Sequence, residues 1–292
     1  MLQSHLETYL AHLAVERGYS PHTVEAYSRD LAQFLNFPGA GEGPPEPALL
    51  AGYLEELGRL ELESSSIARK LAALRGYFRF LVKERVLSTN PAALLRSPKP
   101  KRKLPVFLTT DEVDRLIAVP DVSTHLGQRD RTILELLYSC GLRISELLSL
   151  TRETVDLHEQ LLRVVGKGNK ERIVPFGEGA RAELDRYLTF ARPEFPVRPR
   201  VTALFLNARG GALSRVSCWK MVGAAARAAA ILKTISPHTL RHTFATHLLD
   251  NGADIRFVQE LLGHAHISTT EIYTHLTREN LRAVFRLCHP RA

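Results

Sequence analysis

Disulfide chemistry has almost no material here. The 292 residues include 3 cysteines, Cys140, Cys218 and Cys288, odd in number and far apart. That excludes a disulfide framework and a zinc knuckle, and it fits a reducing compartment such as the cytoplasm. Long apolar runs are missing too. No stretch is long enough to cross a bilayer, and residues 1–10 show no signal-peptide pattern, so no membrane association is expected. Acidic residues are in deficit, with 31 Asp and Glu against 39 Lys and Arg, a formal charge of +8. A basic excess favours a polyanionic partner, and nucleic acid is the commonest soluble one. A generally basic soluble protein is the plainer alternative. The rest is ordinary: 45% hydrophobic and 24% charged residues describe a globular chain, and the length suits two domains.

Residues 1–90 read as helical throughout. Leu2, Leu6, Tyr9, Leu10 and Leu13 keep the helical period. Ser20-Pro21 starts a second helix, with Val24, Tyr27, Leu31, Phe34 and Leu35. After a Gly- and Pro-rich loop, a third helix carries Leu50, Tyr53, Leu54 and Leu57. A fourth begins at serines 64–66 and carries Ile67, Leu71, Leu74, Phe78, Leu81 and Val82. Its other side shows Arg75, Arg79 and Lys83, with Arg69 and Lys70 at its start. Such a stripe is a solvated face or a DNA contact. Residues 90–105, NPAALLRSPKPKRKLP, hold four prolines, so helix cannot run through them. With Lys99, Lys101, Arg102 and Lys103 this stretch reads as a basic linker. The division expected is a helical domain over 1–90, a linker over 91–105 and a second domain over 106–292.

The second domain opens with a helix capped by Thr109 and Glu112. A longer helix, about 129–138, stops at Cys140-Gly141. Arg143 heads the next, where Glu146, three residues on, is placed to orient its guanidinium. The period then changes to two. Residues 161–165 and 172–176 flank Gly166-Lys167-Gly168-Asn169, a β-hairpin signature with one lysine at its tip. The spacing is not that of a nucleotide P-loop. Residues 177–192 read as a helix, 204–206 as a short strand, and 216–230 as an Ala-rich helix.

The stretch that organises the chain is Ser236 to His275. Ser236 caps a helix whose first turn holds Pro237, and Asn251-Gly252 ends it. His238 and Arg241, three apart, share a face near its N-terminus, where unpaired N–H groups and the helix dipole favour an anion. An imidazole and a guanidinium there suit a phosphate. A second helix runs from 255 to 262 and stops at Gly263, leaving His264 just outside. A third has a capping box, Ser268 with Glu271, and Tyr273 one turn inside. Adjacent cations both lower a phenol's pKa and stabilise a phosphorane. Taken singly, each of these side chains reads as packing or surface. Thr277 caps a last amphipathic helix with Leu281, Val284, Phe285 and Cys288, which folds back or docks on a second molecule.

Together GLRISELLSL, GKGNKERIVP, HTLRHTFATHLL, LLGH and IYTH resemble the tyrosine recombinases, the family of phage integrases. The resemblance covers nearly the whole chain, and RGYSPHTVEAYSRDLAQFL is similar to that family's SAM-like core-binding domain. The compact length looks like the Xer branch. The resemblance implies a mainly α fold with a small antiparallel β-sheet or hairpin, arranged as a two-domain C-shaped clamp. It implies an active site of Arg143, Lys167, His238, Arg241, His264 and Tyr273, with no departure at these six positions. Tyr273 would attack a scissile phosphodiester and form a 3′-phosphotyrosyl bond. Arg143 and Arg241 would clamp the non-bridging oxygens. Lys167 would protonate the departing 5′-hydroxyl, His238 would assist proton transfer as base, and His264 would hydrogen-bond the phosphate. No cofactor, metal or ATP is implied. The partners implied are double-stranded DNA at a specific site, an XerC-like second recombinase or further copies of this chain in a tetramer, and an FtsK-like septal DNA translocase. The implied task is resolving chromosome dimers through a Holliday junction. Separately from the resemblance, Tyr273 is expected to be held away from the phosphate site until assembly, because the terminal helices look able to dock in cis or in trans.

Two other readings compete. One is a metal-dependent nuclease using His238, His242, His247, His264 and His266. It lacks an HExxH motif and acidic residues in a zinc-like pattern. The other is a DNA-binding accessory protein without catalysis.

Overall fold

The structure, a computed structural model, describes residues 2–40, 43–97, 106–166, 171–196, 198–263 and 278–292, without the side chains of residues 278–280. Lys99, Lys101, Arg102, Lys103, Lys167, His264 and Tyr273 lie outside the described residues, as do Ser268, Glu271 and Thr277. The chain divides into two compact units, residues 1–103 and 104–292.

The first unit is built from α1 (Leu6–Val15), α2 (Pro21–Leu35), α3 (Pro47–Arg59) and α4 (Ser64–Lys83). Ser20 caps α2 by accepting from the Thr23 N–H at 3.3 Å, and Pro21 stands in its first turn. The apolar face of α4 packs against the other three helices, burying Leu71, Leu74, Tyr77, Phe78 and Leu81. Phe34 meets Tyr53 and Phe78 edge-on, with ring centroids 5.2 and 5.9 Å apart. Residues 91–97, expected to open the linker, instead belong to this unit. Ala92 is fully buried, and Arg75 donates to the carbonyls of Ala92 and Leu95. Prolines stop a helix, but they do not stop a chain from packing.

The second unit surrounds α6 (His125–Ser139), which is buried on every side over its last two turns. Thr124 caps it, so it starts a turn earlier than the apolar pattern suggests. Around it stand α5 (Thr110–Ala118), with the expected Thr109 and Glu112 capping box, and α7 (Ile144–Ser149). Three antiparallel strands follow in the order β1 (Val155–Asp156), β2 (Leu161–Val165) and β3 (Glu171–Pro175). Register pairs Leu162 with Val174 and Val164 with Arg172. The helix expected over 177–192 is shorter. It runs as α8 (Glu178–Arg186), then widens through a π turn at Tyr187–Ala191 and tightens at Arg192–Glu194, where Pro193 interrupts it. The strand expected at 204–206 is reduced to one bridge, Leu206 to Ala212.

The remaining helices are α9 (Arg215–Ala228), α10 (Pro237–Asp250), α11 (Ile255–Leu262) and α12 (Arg278–Cys288). Leu281, Phe285 and Cys288 of α12 join Phe244, Leu248, Phe257, Val258 and Leu261 in one apolar cluster. The last helix therefore folds back on its own unit. Its tail is held by charge as well: Arg291 binds Glu135 at 2.8 Å and Asp114 at 2.5 Å. His289 stacks on Phe285 at 4.7 Å. Among the described residues, no helix is long and apolar enough to cross a membrane.

Candidate active site

The α6–α7 turn decides where the first arginine points. Gly141 takes φ +57°, a left-handed conformation that a side chain would strain, and an added Cβ would lie 2.4 Å from Cδ1 of Phe244. Glycine thus lets the turn lie against α10. Arg143 is the cap residue of α7. Glu146, one turn in, accepts from the Arg143 backbone N–H at 2.8 Å and from its Nη1 at 2.7 Å. The sequence expectation that Glu146 orients Arg143 holds.

Arg241 reaches the same carboxylate from α10. Its Nη1 stands 3.6 Å from Glu146 Oε2 and donates to the Gly141 carbonyl at 2.7 Å, while Nη2 donates to the Leu262 carbonyl. The Ser236 cap forms as expected, accepting from Thr239 N–H at 3.2 Å, with Pro237 in the first turn. His238 lies one turn before Arg241 on α10 and is exposed. Arg143 keeps 37% of its side chain exposed, against 6% for Arg241. The deeper guanidinium is fixed by protein, and the shallower one faces solvent.

A third guanidinium, which the sequence reading left in a strand, completes the cluster. Arg172 of β3 donates to both oxygens of Glu146, at 2.7 and 2.9 Å, and from Nε to the Leu261 carbonyl at 2.8 Å. A signal for it was present. Arg172 lies in period with Val174 on β3 and opposite the buried Val164, so a charge occupies an apolar-facing position.

Three cations thus share one carboxylate. Burial alone would raise the Glu146 pKa. The hydrogen bonds from Arg172 and from the Arg143 backbone outweigh it and hold the carboxyl below its ordinary range. Arg241 is lowered to about 10, by burial first and then by the charge of Arg143, with Glu146 opposing. It remains a cation at neutral pH. The cluster carries a surplus of positive charge, and two differently exposed guanidiniums suit a tetrahedral phosphate.

His247, one of the histidines of the metal-nuclease reading, is a buried strut. Tyr138 lies 2.7 Å from its Nδ1 and the Leu108 carbonyl 2.9 Å from its Nε2. Leu108 N–H in turn donates to Thr243 at 3.1 Å, so α10 grips the start of the second unit. His247 is therefore occupied by protein partners, which removes one ligand from the metal-nuclease reading. His264 and His266 lie outside the described residues.

In the first unit the expected basic stripe divides. Lys70 is buried and gives its ammonium to Asp30 at 2.8 Å and Gln33 at 2.6 Å. It is an internal ion pair and not a free phosphate contact, because Asp30 is buried in the same core. Arg69 also binds Asp30, and Arg75 is committed to backbone carbonyls. Arg79 and Lys83 stay exposed.

A helical two-unit chain with a three-stranded sheet gathers three guanidiniums around one buried carboxylate, an arrangement whose chemistry suits a phosphate. Comparison with known proteins narrows this. The Phage integrase family matches residues 106–280, and the N-terminal SAM-like domain of phage integrases matches residues 6–85. The tyrosine recombinase XerD of Listeria monocytogenes serotype 4b is 43% identical, over 98% of this chain and 99% of its own. The tyrosine recombinase XerC of Pelobacter propionicus is 44% identical, over 100% of this chain and 97% of its own. A solved XerH site-specific recombinase, bound to its difH substrate before cleavage, aligns at TM-score 0.67 and 26% identity, covering 96% of this chain and 83% of that one.

The chain belongs to the phage integrase family of tyrosine recombinases. It is an enzyme, a tyrosine recombinase similar over its full length to Xer recombinases. GKGNKERIVPFGE and the ending HPRA look like XerD, yet relatives of both XerD and XerC names match at similar identity.

Proposed function

We propose that Arg143, Lys167, His238, Arg241, His264 and Tyr273 form the active site. Tyr273 attacks the scissile phosphodiester and forms the 3′-phosphotyrosyl bond. Arg143 and Arg241 hold the non-bridging oxygens and stabilise the charge that develops on phosphorus. Lys167 protonates the departing 5′-hydroxyl, His238 takes the phenol proton, and His264 hydrogen-bonds the phosphate. The covalent link conserves the energy of the broken ester, so rejoining needs neither ATP nor metal. The observation that carries this reading is the convergence of Arg143 and Arg241, about 100 residues apart, on the single carboxylate of Glu146.

The DNA is double-stranded and carries a specific site. On the first unit the proposed contacts are Arg79 and Lys83, with Arg69 at the edge of its Asp30 pair, and on the linker Lys99, Lys101, Arg102 and Lys103. The working assembly is a tetramer with an XerC-like recombinase or with further copies of this chain. It acts in the cytoplasm on sister chromosomes, with an FtsK-like translocase as a further partner.

A nicked suicide substrate carrying a Xer-type site, incubated with EDTA and run on a denaturing gel, tests the chemistry. The expected result is a protein–DNA band from the wild-type chain and none from Tyr273→Phe. A band that persists in Tyr273→Phe, or that disappears from wild type with EDTA, would overturn the reading.

A further inference from the structure

The three guanidiniums around Glu146 share a second set of acceptors. Arg172 donates to the Leu261 carbonyl at 2.8 Å, Arg241 to the Leu262 carbonyl, and Arg143 to the Gly263 carbonyl at 3.3 Å. These are consecutive residues at the C-terminus of α11. Carbonyls there lack intrahelical partners and carry the negative end of the helix dipole. Three cations on three successive orphan carbonyls form a clasp between α11 and the catalytic arginines.

The three bonds are not equivalent. Arg143 has the longest and the most exposed side chain. Arg172 is 14% exposed, and three of its donors are used at once, two on Glu146 and one on α11. Its stem lies over Gly263, where φ is +65° and an added Cβ would fall 3.3 Å from Arg172 Cδ. Arg172 therefore ties β3, of which it is part, to the carboxylate that orients Arg143 and to the end of α11.

We infer that Arg172 is a positioning residue for strand cleavage. It holds Glu146 and the carbonyl end of α11 in place, so that Arg143 and Arg241 stay aimed when the scissile phosphate displaces the carbonyls that now occupy them. This rests on the proposed roles of Arg143 and Arg241. A planar guanidinium fills both tasks at once because its forked donors match the two carboxylate oxygens while Nε turns to a third acceptor. A lysine keeps the charge and loses the fork.

The test compares wild type, Arg172→Ala and Arg172→Lys on the nicked substrate at saturating enzyme. DNA affinity is measured separately, and near-UV circular dichroism checks folding. Misaiming of this kind costs about 100-fold in rate. We expect that loss in the covalent step for Arg172→Ala, with the Kd for the DNA site unchanged, because the interaction matters in the transition state. Millimolar guanidinium should restore cleavage to Arg172→Ala, and methylammonium should not. Arg172→Lys should fold and remain slow. Cleavage at the wild-type rate in either variant would overturn the proposal, as would parallel loss of affinity and cleavage with no response to guanidinium. Tyr273→Phe separates the levels. A covalent product from that chain would sink the nucleophile assignment, whatever Arg172 does.

Discussion

Gly141→Ala should damage both stability and cleavage, for one geometric reason. The new Cβ lands 2.4 Å from Cδ1 and 2.7 Å from Cε1 of Phe244, a ring fully buried in the α10 cluster. At that distance either the turn or the buried ring must shift. Alanine in the left-handed region costs about 1 kcal/mol relative to glycine. Overpacking a buried ring adds about 1–3 kcal/mol. The expected loss is thus about 2–4 kcal/mol, or roughly 4–16 °C in the melting temperature of a unit this size. Relief moves the Gly141 carbonyl, to which Arg241 Nη1 donates at 2.7 Å. At a guanidinium proposed to hold the scissile phosphate, a displacement of an ångström costs about 100-fold in rate. Calorimetry and the suicide-substrate assay measure the two effects. The double variant Gly141→Ala with Phe244→Leu should be less destabilised than the sum of the single changes, by about 0.5–3 kcal/mol. Strict additivity, or a single variant within about 0.5 kcal/mol of wild type, would refute the packing argument.

Two further predictions concern charge. Burial, aided by the charge of His247 and Arg291, lowers the His289 pKa to about 3 from an ordinary 6.5. The unfolded chain therefore takes up a proton first as pH falls, so stability drops below about pH 6.5 and levels off near 3. Between pH 6.5 and 5 this amounts to about 2 kcal/mol. Denaturant unfolding of His289→Phe should lack that slope, and an unchanged slope would show that His289 is not its source. In the first unit, Lys70→Met should destabilise the fold by about 3–5 kcal/mol, because it strips a partner from the buried Asp30 carboxylate. Arg79→Ala should leave stability intact and reduce the salt slope of DNA binding by about 1. The opposite pattern, with Lys70→Met altering only the salt slope, would restore Lys70 to the DNA-facing stripe.

The helices of the site were legible because their signals are local. Ser236 and Pro237 start α10, Asp254 caps α11, and Gly263 ends it in the left-handed conformation that glycine tolerates. Glu146 was assigned to Arg143 because three residues on a helix bring two side chains together whatever surrounds them. The residue motifs also carried the family resemblance, since they are read as letters and need no coordinates.

Packing decided the rest. Lys70 and Arg79 sit on the same helix and look alike in sequence. Only the approach of α2, which brings Asp30 beside Lys70, makes one an internal ion pair and leaves the other exposed. The last helix had two possible destinations by its amphipathic pattern, and the apolar cluster of α10 and α11 together with Glu135 and Asp114 selected its own unit. The clasp of Arg143, Arg172 and Arg241 on Glu146 and three successive carbonyls joins residues up to 120 positions apart. Periodicity and caps report what a residue does within its own turn or strand. Which distant groups it meets depends on how the elements pack, and at this site the meeting of those groups makes the guanidinium cluster.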